Sequence, residues 1–149
     1  ESNTMIQKPR PFTSNLFSWA ELSTSVIQGL AITFATLSVY QLSINQGFNE
    51  QITRTMVFVT LIVSNILLTL VNRSFYYSIL TTLRYKNNLI FMIIGITVLT
   101  TGLVIYVKPL TDFFMFKYLN ITQLSVSVGI GIASVLWYEL IKILKRNNN

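Results

Sequence analysis

The 149-residue sequence contains neither cysteine nor histidine. Disulfides, Cys/His zinc sites, haem ligation by either residue and thiol or imidazole catalysis are thereby excluded. Charge is scarce as well: 11% of residues are charged and 52% hydrophobic, whereas an ordinary soluble domain carries about 25% charged residues. A water-facing surface needs charge, so the deficit points to a chain that faces lipid. Acids are the scarcest group. Glu1, Glu21, Glu50, Asp112 and Glu139 are the whole set, and all fall at expected helix ends or in loops. None is an intramembrane cation ligand or proton relay of the usual kind, which speaks against a self-contained ion transporter. No Gly-rich phosphate loop and no paired carboxylates occur, so no catalytic and no cofactor-binding residues are expected.

What the sequence does contain is uncharged runs. Residues 22–49, 55–72, 87–107 and 118–138 carry no charge, and each reaches the length of about 18 residues at which an apolar run reads as a membrane span. The spacing predicts helices over about 22–44, 54–73, 88–107 and 121–145, each about 30 Å long at 1.5 Å per residue. Strands are not expected, because two-residue alternation is missing and the runs are twice the length of a barrel strand. Within lipid the backbone must satisfy its own hydrogen bonds, so long apolar runs become helices. The fold class expected is an all-α membrane protein, a four-transmembrane-helix bundle forming one domain over 1–149, with 1–21 as a cytoplasmic linker. Tyr106 and Trp137-Tyr138 fall near the expected membrane boundaries, where amphipathic rings prefer to sit. The chain opens on Glu1 with a polar stretch, so a piece of a longer protein without a signal peptide is expected.

The net charge is +6. No basic run is long enough to track a phosphate backbone, so no nucleic-acid partner is expected. The bases read instead as topology signals. Lys8, Arg10, Arg73, Arg84, Lys86, Lys142, Lys145 and Arg146 fall on one side of the expected bundle, against Arg54, Lys108 and Lys117 on the other. The positive-inside rule then places both termini and the middle loop in the cytoplasm, with the plasma (inner) membrane as the expected location. The uncharged stretch Ser74–Leu83 of that loop reads either as an interfacial segment or as a partly buried loop.

Polar groups within the runs are neutral. Asn65, near the middle of the second helix, is the most informative: its carboxamide is costly to expose to lipid and should face protein or a wet cavity. Two readings stand, a neutral oxygen ligand for a cation or a helix–helix hydrogen bond worth about 0.6–2 kcal/mol. Gln28 and Gln41 pose the same question. Ser125, Gly129 and Ala133, and likewise Ser25, Gly29 and Thr33, form small-residue faces that a neighbouring helix can approach closely. Glu139 and Lys142, three apart, read as an anchor or a contact to partner protein.

Several segments together resemble one family. Tyr106-Val107-Lys108-Pro109-Leu110, followed by Phe114, Lys117, Leu119 and Thr122-Gln123, is similar to the linker between the ninth and tenth membrane helices of P-type cation-transporting ATPases, where calcium pumps of the sarcoplasmic reticulum type show a Tyr-Val-x-Pro-Leu pattern. Glu139-Leu140-Ile141-Lys142 resembles the close of that family's last helix, and Met5-Ile6-Gln7-Lys8-Pro9-Arg10-Pro11 its linker after the sixth. Leu70-Val71-Asn72-Arg73-Ser74 and Thr82-Leu83-Arg84-Tyr85-Lys86-Asn87 resemble bacterial members. The resemblance covers helices seven to ten of the family. It implies a support role beside the transport helices, with the remaining membrane helices of a parent pump and the lipid bilayer as partners. ATP and Mg²⁺ would be used by the parent and not by this segment, which has no Asp-Lys-Thr-Gly or Thr-Gly-Glu motif. In two-site calcium pumps an eighth-helix Glu contributes to one site, and counting from Thr55-Met56 that position falls on Asn65. The carboxylate is absent, so a single-site pump, or one for another cation, is the expectation. A stand-alone four-helix accessory or binding protein is the rival reading, and a soluble helical bundle the weaker third.

Overall fold

The computed structural model describes residues 19–72 and 88–147. These form α1 (Trp19–Asn45), α2 (Glu50–Asn72), α3 (Asn88–Tyr106), α4 (Lys108–Phe113) and α5 (Ile121–Asn147), and no strand occurs among them. Among the described residues three stretches are long and apolar enough to cross a membrane, Leu22–Asn45, Glu50–Asn72 and Ile121–Tyr138, and a shorter apolar helix covers Phe91–Tyr106. The expected linker up to residue 18, the Ser74–Leu83 segment and the side chains of Glu139 and Lys142 lie outside what is described. Residues 19–21, assigned to the linker by their position before the first uncharged run, already belong to α1.

Helix ends depart from the charge boundaries for a physical reason. α2 starts at Glu50, not near 54, because a charge interrupts an apolar run without interrupting a helix. Asn49 caps it, its Oδ1 accepting from the Gln51 amide at 2.9 Å, and Glu50 pairs with Arg54 at 2.7 Å one turn on. α1 ends in a Schellman turn: the Phe48 amide reaches back to the Ser43 carbonyl at 3.0 Å and the Gly47 amide to that of Ile44 at 2.9 Å, with Gly47 at φ 69°. α3 stops where Pro109 follows, and Val107 turns extended (φ −91°, ψ 111°). The short helix α4 then closes in a second turn of the same kind, Phe116 to Thr111 at 2.8 Å and Met115 to Asp112 at 3.2 Å. Here Met115, not glycine, holds the left-handed position at φ 54°.

α2 is the central helix, packed against α5 and α1, while α3 is held mainly through its C-terminal end and α4. Two apolar clusters stack along the bundle. One joins Val39, Met56, Val59, Ile105 and Leu119, the other Ile32, Val71 and Val135. The pairing of early α1 with late α2 makes these antiparallel, and α2 and α5 run parallel. Ile105 brings the end of α3 to the first cluster, where α1 ends and α2 and α5 begin. Glu50, Arg54, Lys108, Asp112 and Lys117 all belong to this same end.

Candidate functional site

α2 carries two chemically different faces. Toward α5, Thr60 and Ser64 are fully buried. The Thr60 hydroxyl lies 2.9 Å from its own-helix Met56 carbonyl and 3.2 Å from the Ser127 carbonyl of α5. Ser64 Oγ lies 3.3 Å from the Gly131 carbonyl and 2.9 Å from Ser134 Oγ, while Ser134 donates to the Gly131 carbonyl at 2.7 Å. With that proton committed, Ser64 is the donor to Ser134. The backbones meet closely at this point: a Cβ on Gly131 would sit 3.0 Å from the Thr60 carbonyl oxygen and 3.1 Å from Val63 Cβ. The seam is therefore a small-residue contact bridged by hydroxyls, with those donors engaged within the protein.

The small-residue faces singled out from spacing are not this seam. Ser125, Gly129 and Ala133 are exposed, as are Ser25, Gly29 and Thr33, and a Cβ at Gly129 or Gly29 would meet nothing within 4 Å. The bundle uses Ser127, Gly131 and Ser134 instead, the first two lying two positions on and so about 200° around the helix. The signal that distinguishes them is the partner: Thr60 and Ser64 place matching hydroxyls at the same four-residue step.

Gln28 is resolved as a packing group. It is 4% exposed and forms a reciprocal amide pair with Asn72 of α2, Nε2 to Oδ1 and Nδ2 to Oε1, both at 3.0 Å. Gln41 is exposed and donates to Asn45 on its own helix at 3.1 Å.

Asn65 takes the other face of α2. It is exposed, in line with exposed Arg54, Leu61 and Thr69. Its carbonyl accepts from the Thr69 hydroxyl at 2.9 Å, and among the described residues its carboxamide makes no hydrogen bond. It points away from the α1–α2–α5 core, toward whatever surrounds the bundle. No group of three acidic side chains assembles among the described residues.

The linker after α3 was legible as a motif but not as a structure. Thr111, buried, places its hydroxyl within reach of three carbonyls at the end of α3: Val107 at 3.0 Å, Ile105 at 3.1 Å and Val104 at 3.3 Å. The Val107 carbonyl also accepts the amides of Leu110 and Thr111, so the hydroxyl matters most at Ile105 and Val104, whose carbonyls face the break before Pro109. Phe116 packs on Phe58 of α2 with ring centroids 5.0 Å apart, and Tyr106 stacks on Tyr118 at 6.1 Å.

The family model described as Cation transporting ATPase, C-terminus, matches residues 1–144. Among curated proteins none matches the chain.

Proposed function

Since the chain belongs to the family formed by the C-terminal region of cation-transporting ATPases, we propose that it is the membrane-support part of an ATP-driven pump, calcium-type in character, bracing the transport helices of the longer protein. The observation that carries the bracing role is the two-faced α2. Its inner hydroxyls are used to lock α5, and its outer face offers an exposed Asn65 whose carboxamide has no hydrogen-bond partner among the described residues. A support element needs a rigid interior and an outer surface for its neighbours. Asn65 then lies at or beside the cation path. One neutral oxygen binds a cation weakly, so the carboxylates come from other helices of the pump. ATP and Mg²⁺ act in parts of the pump outside this chain.

In this reading α1, α2, α3 and α5 cross the plasma membrane, both termini are cytoplasmic, and the end carrying Lys108 and Lys117 faces outward. The meeting of α3's end with the starts of α2 and α5 supports the alternating course. The chain has no cysteine, so single cysteines at Asn49 and Ser78 report topology directly. Asn49 should react with an impermeant thiol reagent from outside and Ser78 only from the cytoplasm, and the reverse pattern overturns the orientation. ATP hydrolysis by the longer protein should respond to one or few cations across a panel that includes Ca²⁺. Hydrolysis indifferent to every cation would remove the pump reading, and a response to monovalent ions alone would remove its calcium character.

A further inference from the structure

Between α3 and α5 the chain turns apolar side chains outward. Phe113 is 79% exposed and Met115 60%, and Leu110, Phe114 and Tyr118 are also exposed. Lys108, Asp112 and Lys117 are exposed on the same segment. This exposure is not slackness. The Thr111 hydroxyl ties α4 to the end of α3, and the Lys117 amide is held by Thr55 of α2 at 3.0 Å. Met115 also keeps a long apolar side chain at φ 54°, a backbone position where glycine would be less strained. A contiguous apolar patch rimmed by charge marks an interaction surface.

We propose that residues 107–118 form a membrane-interface anchor. Phe113, Phe114 and Met115 enter the headgroup–acyl boundary, and Lys108 and Lys117 meet lipid phosphates. The proposal rests on reading α3 and α5 as membrane crossings. The bilayer is the occupant for two reasons. The segment joins helices ending at Tyr106 and beginning at Ile121, so it lies where crossing helices leave the hydrocarbon. Its lysines stand on both flanks of the aromatic cluster, matching phosphate with the charge and the rings with the acyl boundary, the composition of interfacial segments. The anchor sets the depth of α3. From Phe91 to Tyr106 that helix exposes apolar side chains on most of its turns, and it carries no charged side chain there to set its position in lipid.

The test uses the whole chain in vesicles of phosphatidylethanolamine and phosphatidylglycerol, with nitroxide labels on single cysteines at Phe113, Met115, Lys117 and Leu99. Relaxation by oxygen reports lipid and relaxation by a water-soluble nickel chelate reports water. Labels at 113 and 115 should show an oxygen-to-nickel ratio severalfold above that at 117 and below that at 99, the mid-α3 reference. If 99 reads deep but 113 and 115 read as water-exposed, the anchor is overturned and the crossing stands. Shielding of 113 and 115 from both reagents means protein covers the patch, which also overturns the anchor. If 99 itself reads as water-exposed, the crossing of α3 fails and the anchor fails with it.

Discussion

The backbone amide of Lys117 donates to the hydroxyl of Thr55 at 3.0 Å, and that hydroxyl donates in turn to the Gln51 carbonyl at 2.7 Å. Thr55 is fully buried. One side chain thus seats the α4–α5 linker on the first turns of α2. Thr55→Val keeps the shape and removes both bonds, stranding the Lys117 amide, and should cost about 1–2 kcal/mol. Thr55→Ser should cost clearly less. Unfolding by detergent titration in bicelles measures both, and equal losses for the two would show that the hydroxyl is not the cause.

The α2–α5 seam depends on Gly131 having no side chain. Gly131→Ala brings a Cβ to 3.0 Å from the Thr60 carbonyl and should destabilise by about 1–3 kcal/mol, with Gly131→Val worse. Gly129→Ala, on the open face, should stay within about 0.5 kcal/mol. The same titration checks the pair, and a larger loss at 129 would place the seam on the wrong stripe.

Gln28 and Asn72 satisfy each other. Asn72→Leu leaves the buried Gln28 amide without its partner and should cost about 1–2 kcal/mol; Gln28→Leu leaves the half-buried Asn72 and should cost less, and the double variant less than the sum. Strict additivity in this cycle would mean the two amides are not coupled.

Asn65 should behave oppositely. Its side chain is exposed and makes no hydrogen bond among the described residues, so Asn65→Leu should leave the stability of this chain within about 0.5 kcal/mol of the parent. In the complete pump the same change should lower apparent cation affinity. A loss of stability with cation dependence unchanged would make Asn65 a packing group.

Met115 pays for its left-handed backbone, so Met115→Gly should relieve strain of about 1 kcal/mol, partly offset by the greater freedom of glycine in the unfolded chain. A gain is expected in detergent, where the proposed lipid contact is lost. A loss there would mean the side chain stabilises the turn through packing.

Much of the helical framework was legible in the sequence. Uncharged runs of membrane length have one stable backbone arrangement in lipid, so the four long helices appear within a few residues of their expected limits; α1 and α2 both start early, α2 because Glu50 and Arg54 are helical charges. The linker after α3 was also visible, from the charge at Lys108 and from the resemblance of residues 106–110 to a family linker. Its extra helix was not, because six residues leave too short a pattern to read.

The sequence by itself determined helix, apolarity, the absence of Cys and His chemistry, and the break at Pro109, since these follow from local backbone and solvation requirements. Only the tertiary structure decided which face of each helix meets which neighbour. Ser125-Gly129-Ala133 and Ser127-Gly131-Ser134 are nearly equivalent as strings, because in a helix apolar on all sides the hydrophobic pattern names no inward face. The choice fell to the stripe whose small residues let α2 approach, where the Ser134 hydroxyl meets Ser64 and the Ser127 carbonyl accepts from Thr60. That same packing turned Gln28 inward onto Asn72 and left Asn65, an equally polar amide, on the outside.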